Sequence, residues 1–206
     1  WLKAGNTKKE AEKKLIEVMS QIQMDTFTEP QKTTLAEYLR WWLKDCCKPR
    51  QSITTFESYE RNVEKHIIPV LGSVRLSDLK PIQLKHFYSE CMENGKSGTT
   101  VLYYHHIIHA ALQQGIKLQI VKQNAADFVD PPAADEYEAT ILEDKQLWKL
   151  LTASYEKGIY IPVLLAITTG MRRGEILGLP WDDVNLEKGF LTVKQTLVTT
   201  NSGPQF

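Results

Sequence analysis

The residues best suited to chemistry are Arg172, Arg173 and Glu175, in the segment 168–184. Both arginines follow Gly170 at the predicted start of a short helix. The first turn of a helix carries unpaired N–H groups and the positive end of the dipole, so it favours an anion such as phosphate. A guanidinium adds two parallel donors, and Glu175, one turn after Arg172, is placed to hold it in a fixed orientation. On spacing alone, a solvated surface pair is the commoner outcome.

Hydrophobic spacing predicts the elements that surround this segment. They are a short strand at 139–142, helices at 143–155, 159–168 and 172–179, and a strand at 190–198. The helix 159–168 is apolar nearly all round and is therefore expected to be buried. The change from helices to mixed helices and strands predicts an α+β unit in the second part of the chain.

Four to five short helices are predicted between residues 34 and 129. Their expected starts are capping boxes at Thr34 and Thr54, Pro81, and Ser97 or Thr99, with a last short turn at 124–128. Short helices with short connections predict a compact helical bundle.

Two stretches without an apolar period, 24–33 and 130–138, are predicted to be linkers. A lysine-rich helix with a capping box at Thr7 is expected before the first of them. The predicted organisation is therefore a helical segment at 1–23, a linker at 24–33, a helical domain at 34–129, a linker at 130–138 and a mixed unit at 139–206.

The net charge is zero, with 25 basic and 25 acidic side chains, but it is unevenly distributed. Residues 34–129 carry 12 basic and 9 acidic side chains, whereas residues 130–206 carry 7 and 11. A polyanion would have to be held by local patches. No apolar run approaches the roughly 18 residues of a membrane span, and three cysteines without framework spacing favour a reducing, cytoplasmic location.

The run Thr-Gly-x-Arg-x-x-Glu-x-x-x-Leu at 169–179, followed by Trp-Asp-Asp-Val, resembles the first conserved box of the tyrosine recombinases, the integrase family of phages and conjugative transposons. Residues 34–38, 54–59, 67–72, 76–79 and 124–127 are similar to the helical core-binding (SAM-like) domain of that family. Residues 7–15 resemble the last helix of its arm-type DNA-binding domain. The resemblance implies a mainly α fold, in which a core-binding domain precedes the N-terminal part of an α+β catalytic domain.

The family resemblance also implies a reaction. A tyrosine attacks a phosphodiester of duplex DNA, forms a 3′-phosphotyrosine and releases a 5′-hydroxyl, with no metal or other cofactor. Fixed donors stabilise the charge of the transition state. By the motif match, Arg172 is the first of these donors and Glu175 its supporting acid, while Arg173 is assigned a contact to the DNA backbone. Site-specific integration by an oligomer on DNA is the implied function.

Residues that the family places later do not occur in this chain. The sheet lysine, the His-x-x-Arg box and the nucleophilic tyrosine would follow Phe206, Lys194 comes too early, and Tyr160 is the last tyrosine. We therefore expect a fragment that binds DNA without cleaving it, and whose uncovered apolar helices favour self-association.

The resemblance places exposed polar residues at two helix starts against the duplex. The expected DNA-binding residues are Thr54, Thr55, Ser58, Arg61, Lys96, Ser97, Thr99, Thr100 and Tyr103. Capping or a solvated face is the alternative for each of them.

Other clusters and functions remain open. His105, His106 and His109 share a helix and could bind a metal, but core or DNA-facing histidines are favoured. The pairs Trp41-Trp42 and Tyr103-Tyr104 could stack on bases, although their spacing fits a core better. The rival functions are a catalytically silent DNA-binding or regulatory module that shares only the helical domain, and a helical protein-interaction domain.

Overall fold

The computed structural model describes residues 10, 12, 33–136 and 138–206. The predicted helix that starts at Thr7 and the first linker lie outside the described residues, apart from Glu10 and Glu12, which are helical, and Thr33.

The first part of the described chain is a bundle of helices around one core. Its helices are α1 (Leu35–Trp41), α2 (Ile53–Asn62), α3 (Ile68–Leu71), α4 (Pro81–Glu93) and α5 (Gly98–Lys117). Helices α1 and α2 continue into π-helical segments at Trp42–Cys47 and Val63–Ile67, and 3-10 turns lie at Leu76–Asp78 and Ala125–Phe128. Their order agrees with the prediction from caps and apolar spacing.

The helix starts follow capping chemistry, with one correction. At α1 the capping box is present: Thr34 Oγ1 accepts the Glu37 N–H, and Glu37 accepts the Thr34 N–H. At α2 the predicted cap, Thr54, is wrong. Ser52 caps this helix by accepting the Thr55 N–H at 3.3 Å, so Thr54 lies inside the first turn. At α5 the cap is Ser97 rather than Thr99.

The core lies between α1, the π-helical segment after α2, α4 and α5. Its fully buried side chains are Leu35, Leu39, Val63, Ile67, Leu84, Phe87, Tyr88, Val101, Tyr104, Ile107, Ile108 and Leu112. Helix α5 spans 20 residues and crosses the bundle, and the Tyr38 hydroxyl donates to the Ala111 carbonyl at 2.6 Å inside the core. Burial of these apolar side chains is the main stabilising force of the domain.

The second unit contains α6 (Asp144–Glu156), α7 (Tyr160–Thr169) and α8 (Arg173–Leu177), a 3-10 turn at Trp181–Asp183 and two small antiparallel hairpins. The strands are β1 (Val184–Asn185), β2 (Phe190–Leu191), β3 (Val198–Thr200) and β4 (Gly203–Gln205). Val184 pairs with Leu191, and Val198 pairs with Gln205.

Three predictions for this unit are wrong. Residues 139–142 do not form a strand. The strand expected at 190–198 is broken, because the Leu197 N–H donates to the Gly174 carbonyl on α8 instead of to a neighbouring strand. Helix α7 has no buried residue, and Ile161 is 61% exposed. In the described part of the chain only α6 and α8 pack closely on it.

The two parts of the chain touch at the second hairpin. The Asn201 N–H, in the turn between β3 and β4, donates to Glu57 Oε1 on α2 at 2.8 Å. No helix among the described residues is both long and apolar enough to cross a membrane.

Candidate nucleic-acid interface

The starts of α2 and α5 lie side by side. Ser58 Oγ on α2 and Tyr103 Oη on α5 are 3.2 Å apart, within hydrogen-bond distance. The rings of Tyr59 and Tyr103 meet edge to face at 6.0 Å. The two sets of predicted DNA-binding residues therefore form one surface, which we call the α2–α5 surface: residues 52–66 and 96–103.

The hydroxyl groups of this surface also organise the helix starts. Ser52 Oγ lies 3.2 Å from the Thr54 hydroxyl and 2.9 Å from the Thr55 hydroxyl. Ser97 Oγ is 2.9 Å from the Thr100 hydroxyl. Each hydroxyl has one donor and two acceptor sites, so a threonine that pairs with the cap keeps capacity for a second partner. Capping and DNA contact are compatible roles here.

Basic side chains converge around His66 on this surface. Burial lowers the pKa of His66, and the positive charges of Lys96, Lys65 and Arg61 lower it further. Arg61 and Lys65 are exposed, and Lys96 is half-buried. Sequence reasoning found Arg61 and Lys96 but missed Lys65, although the four-residue spacing from Arg61 is a sign of a shared helical face. These basic side chains span α2 and the loop before α5, and the acidic Glu57, Glu60 and Glu64 line the same face as Arg61 and Lys65.

Thr99, which is predicted to contact DNA, is bound by the linker in the structure. Its N–H donates to Asp135 Oδ2 at 3.1 Å, and its hydroxyl accepts the Asp135 N–H at 3.0 Å. Nothing in the sequence pattern indicated this contact between residues 36 positions apart.

Arg172 and Glu175 interact as the motif suggested. Glu175 accepts from the Arg172 N–H at 2.9 Å and from Arg172 Nη1 at 3.0 Å. These hydrogen bonds, the backbone one above all, hold the pKa of Glu175 below its ordinary value. The Arg172 side chain is 87% exposed, and Glu175 is its only hydrogen-bond partner among the described residues. One edge of the guanidinium is fixed, and the other is open to an anion. Arg173 is exposed on the first turn of α8.

Two glycines that sequence reasoning passed over fix the position of α8. A Cβ atom added to Gly174 would lie 2.7 Å from the Leu197 carbonyl oxygen, and one on Gly178 would lie 2.9 Å from the Leu197 nitrogen. The Gln195 side chain donates to the Gly178 carbonyl at 2.8 Å. The extended segment 195–197 therefore crosses α8 in close contact. The spacing of four between the glycines was the available signal.

Lys194 forms an ion pair with Asp183. The Asp183 side chain is only 9% exposed, and its carbonyl accepts the Thr192 N–H at 2.9 Å. This pair links the 3-10 turn to the segment that follows β2.

The histidines of α5 have separate partners. His105 is buried, with Nδ1 3.0 Å from the Tyr88 hydroxyl, and His109 Nε2 lies 2.8 Å from Asp127 Oδ1. Within the described ranges, no group of three or more His, Cys, Asp or Glu side chains could hold a metal ion.

The aromatic pairs divide between core and surface. Trp42 is buried and stacks on Tyr59, while Trp41 is 38% exposed. Tyr104 is buried and stacks on His66, while Tyr103 is half-buried. One member of each pair serves the core, as the helical spacing indicated.

The chain is similar to proteins that are named recombinases, integrases and transposases. The family model for the phage integrase N-terminal SAM-like domain matches residues 34–92. The chain is 28% identical to a XerC-like tyrosine recombinase of Caldanaerobacter subterraneus subsp. tengcongensis, over 94% of the chain and 51% of the relative. It is 26% identical to an integrase of Saccharopolyspora erythraea (80% and 38%) and to the transposase of transposon Tn916 from Enterococcus faecalis (73% and 38%). The chain thus spans about half the length, or less, of these relatives.

Solved structures share the fold. The Tn1549 transposon integrase, solved in complex with circular intermediate DNA, matches with a TM-score of 0.69 at 20% identity, over 84% of this chain and 58% of that one. A lambda integrase dimer bound to a COC′ core site matches with a TM-score of 0.69 at 19% identity, over 79% and 59%. At 20% and 19% sequence identity, the similarity to these two structures establishes a shared fold alone.

Proposed function

Since the chain belongs to the tyrosine recombinase family, the phage-type integrases, we propose that it is the duplex-binding part of a site-specific DNA recombinase. The observation that carries the proposal is the α2–α5 surface. There, the hydroxyl-bearing starts of two helices adjoin through Ser58 and Tyr103, beside the basic cluster of Arg61, Lys65 and Lys96. Positive charge holds a phosphate backbone, and hydroxyl and amide groups read phosphates and base edges.

We assign the helical domain, residues 34–129, to one face of the duplex. Linker 130–138 then leads to the unit at 139–206, which brings Arg172 to the DNA backbone. Residues 1–23 would precede these two units as part of an arm-type DNA-binding domain. The two similar integrases were solved in complex with DNA, and the lambda integrase is a dimer there. Assembly of several copies on DNA is therefore part of the proposal.

Arg172 is assigned the role of transition-state donor. Its guanidinium is exposed on one edge and held by Glu175 on the other, which suits a group that must meet charge developing on a phosphate without reorganising first. Arg173, on the same turn, is assigned a backbone phosphate. The nucleophile in this reaction would be a tyrosine that forms a 3′-phosphotyrosine.

The match to the Caldanaerobacter relative covers 94% of the chain. It therefore includes the second unit as well as the helical domain. This extent favours a recombinase over a regulatory module that shares only the helical domain.

A fluorescence-anisotropy titration of a labelled duplex at several salt concentrations tests the proposal. We expect affinity to fall steeply with salt, because each neutralised phosphate releases counterions. Replacement of Arg61, Lys65 or Lys96 by alanine should lower the salt slope by about one for each lost phosphate contact.

The matched control is Lys117→Ala. Lys117 is an exposed lysine at the other end of α5, about 30 Å from the helix start. Its replacement should leave both affinity and slope unchanged. The absence of binding even at low salt would refute the proposal and favour a protein-interaction domain.

A further inference from the structure

The linker is bound to the helical domain by one reciprocal contact. The Asp135 carboxylate accepts the N–H groups of Gly98 (3.4 Å) and Thr99 (3.1 Å), the first two residues of α5. In return, the Asp135 N–H donates to Thr99 Oγ1 at 3.0 Å. A carboxylate at the start of a 20-residue helix satisfies two otherwise unpaired donors and interacts favourably with the helix dipole.

Packing around Gly98 supports the same contact. A Cβ atom at this position would lie 2.2 Å from the Ala133 carbonyl oxygen and 3.4 Å from Asp135 Oδ1. Gly98 is buried although it opens a helix at the surface of the bundle. The linker backbone therefore lies directly against α5, at a point where no larger residue fits.

The contact also has an electrostatic signature. Hydrogen bonds, first of all the one from the Thr99 N–H, hold the pKa of Asp135 below its ordinary value. The neighbouring Glu136 has no hydrogen bond or ion pair with any residue that the structure describes, so it provides a natural control.

We propose that Asp135 is a positioning residue, which fastens the linker to the start of α5 and, together with the contact between Asn201 and Glu57, sets the position of the second unit relative to the α2–α5 surface. This inference rests on the proposed function only for its effect on DNA binding. The fastening itself is a property of the free chain.

Chain lengths give the size of the effect. From Asp135 to the start of α6 at Asp144 there are nine residues, which reach at most about 30 Å. Without the Asp135 contact, and with the contact between Asn201 and Glu57 open, the tether would run from Val129, fifteen residues away, and would reach about 50 Å. Once one unit is bound to DNA, the effective concentration of the other unit falls with about the −3/2 power of tether length. The loss of Asp135 should therefore weaken simultaneous binding of both units to one duplex about twofold from tether length alone.

The first measurement requires no DNA. Labels introduced through non-canonical amino acids at exposed Lys85 on α4 and Lys157 after α6 report the distance between the two units by pulsed electron paramagnetic resonance. Asp135→Ala and Thr99→Val should broaden the distance distribution. Thr99→Ser, which keeps the hydroxyl acceptor, and Glu136→Gln should leave it narrow. Thermal unfolding of each variant establishes that the bundle remains folded.

A second variant perturbs the contact from the opposite side. Gly98→Ala improves helix propensity but displaces the Ala133 carbonyl, so it should also broaden the distribution without removing a charge. A narrow distribution in folded Asp135→Ala and Gly98→Ala would overturn the proposal.

Duplex affinity provides the functional measurement. Asp135→Ala should bind a labelled duplex at least about twofold more weakly than the unmodified chain. Tighter binding by Asp135→Ala would show that the carboxylate competes with DNA and would also overturn the positioning role. If the unmodified chain does not bind duplex, the proposed function fails, while the distance measurement still decides whether Asp135 fastens the linker.

Discussion

Replacing Gly174 with alanine tests whether the segment 195–197 positions α8 and with it Arg172. Helix propensity alone predicts that alanine stabilises this position by about 1 kcal/mol. In the structure, the new Cβ atom would lie 2.7 Å from both the Leu197 carbonyl oxygen and the Thr196 methyl carbon. Overpacking of this kind costs about 1–3 kcal/mol.

Displacement of the segment would also break the hydrogen bond from the Leu197 N–H to the Gly174 carbonyl, which measures 2.9 Å. A hydrogen bond of this type contributes about 1 kcal/mol. Adding the two costs and subtracting the propensity gain, we expect Gly174→Ala to lower the free energy of unfolding of the second unit by about 1–3 kcal/mol.

Hydrogen exchange and urea unfolding, followed by circular dichroism, measure both effects. The Leu197 amide should lose protection in Gly174→Ala, while amides in the core of α5 keep theirs. Thr196→Ser removes only the methyl group of an exposed residue and serves as the control, with a change within about 0.5 kcal/mol. If Gly174→Ala raises stability and keeps the Leu197 amide protected, the packing argument is incorrect.

Three further predictions concern the folded chain. Burial lowers the pKa of His105, so the unfolded chain binds a proton at this residue before the folded chain does as pH falls below 6.5. Protonation therefore favours unfolding, and the urea midpoint should rise from pH 5 to pH 7.5. The rise should be smaller in His105→Gln. Tyr38→Phe removes the buried hydrogen bond to the Ala111 carbonyl and should cost about 1 kcal/mol in urea unfolding; an unchanged stability in Tyr38→Phe would count against a role of the hydroxyl. Lys194→Met leaves the nearly buried Asp183 carboxylate unpaired and should lower the thermal midpoint without changing duplex affinity; a loss of affinity would assign Lys194 to the DNA surface.

The sequence predicted the helical bundle because its signals are local. A capping box such as Thr34 with Glu37 and apolar residues three and four apart depend on one turn of chain. The same local logic placed the α2 cap at Thr54, because Glu57 follows three residues later. Ser52 caps the helix instead, and Glu57 accepts from Asn201, a partner far away in sequence.

Features set by distant partners escaped the sequence. The strand expected at 190–198 breaks because Gln195 and Leu197 bond to the backbone of α8. The contact between Asp135 and Thr99 joins a linker to a helix start and follows no periodic pattern. The pair of Arg172 and Glu175 was found through its motif, whereas spacing alone left it indistinguishable from a surface ion pair. Residue types and spacing thus found the candidate groups, but only the fold shows which of them share a surface.

A hydrogen-exchange footprint of the chain with and without a duplex tests directly whether the α2–α5 surface binds DNA. We expect DNA to slow exchange at the starts of α2 and α5, residues 52–58 and 96–103, and at residues 172–175, while the end of α5 near Lys117 is unaffected. Slowed exchange that is absent from both helix starts, or that is confined to the Lys117 end, would contradict the assignment of the α2–α5 surface to DNA.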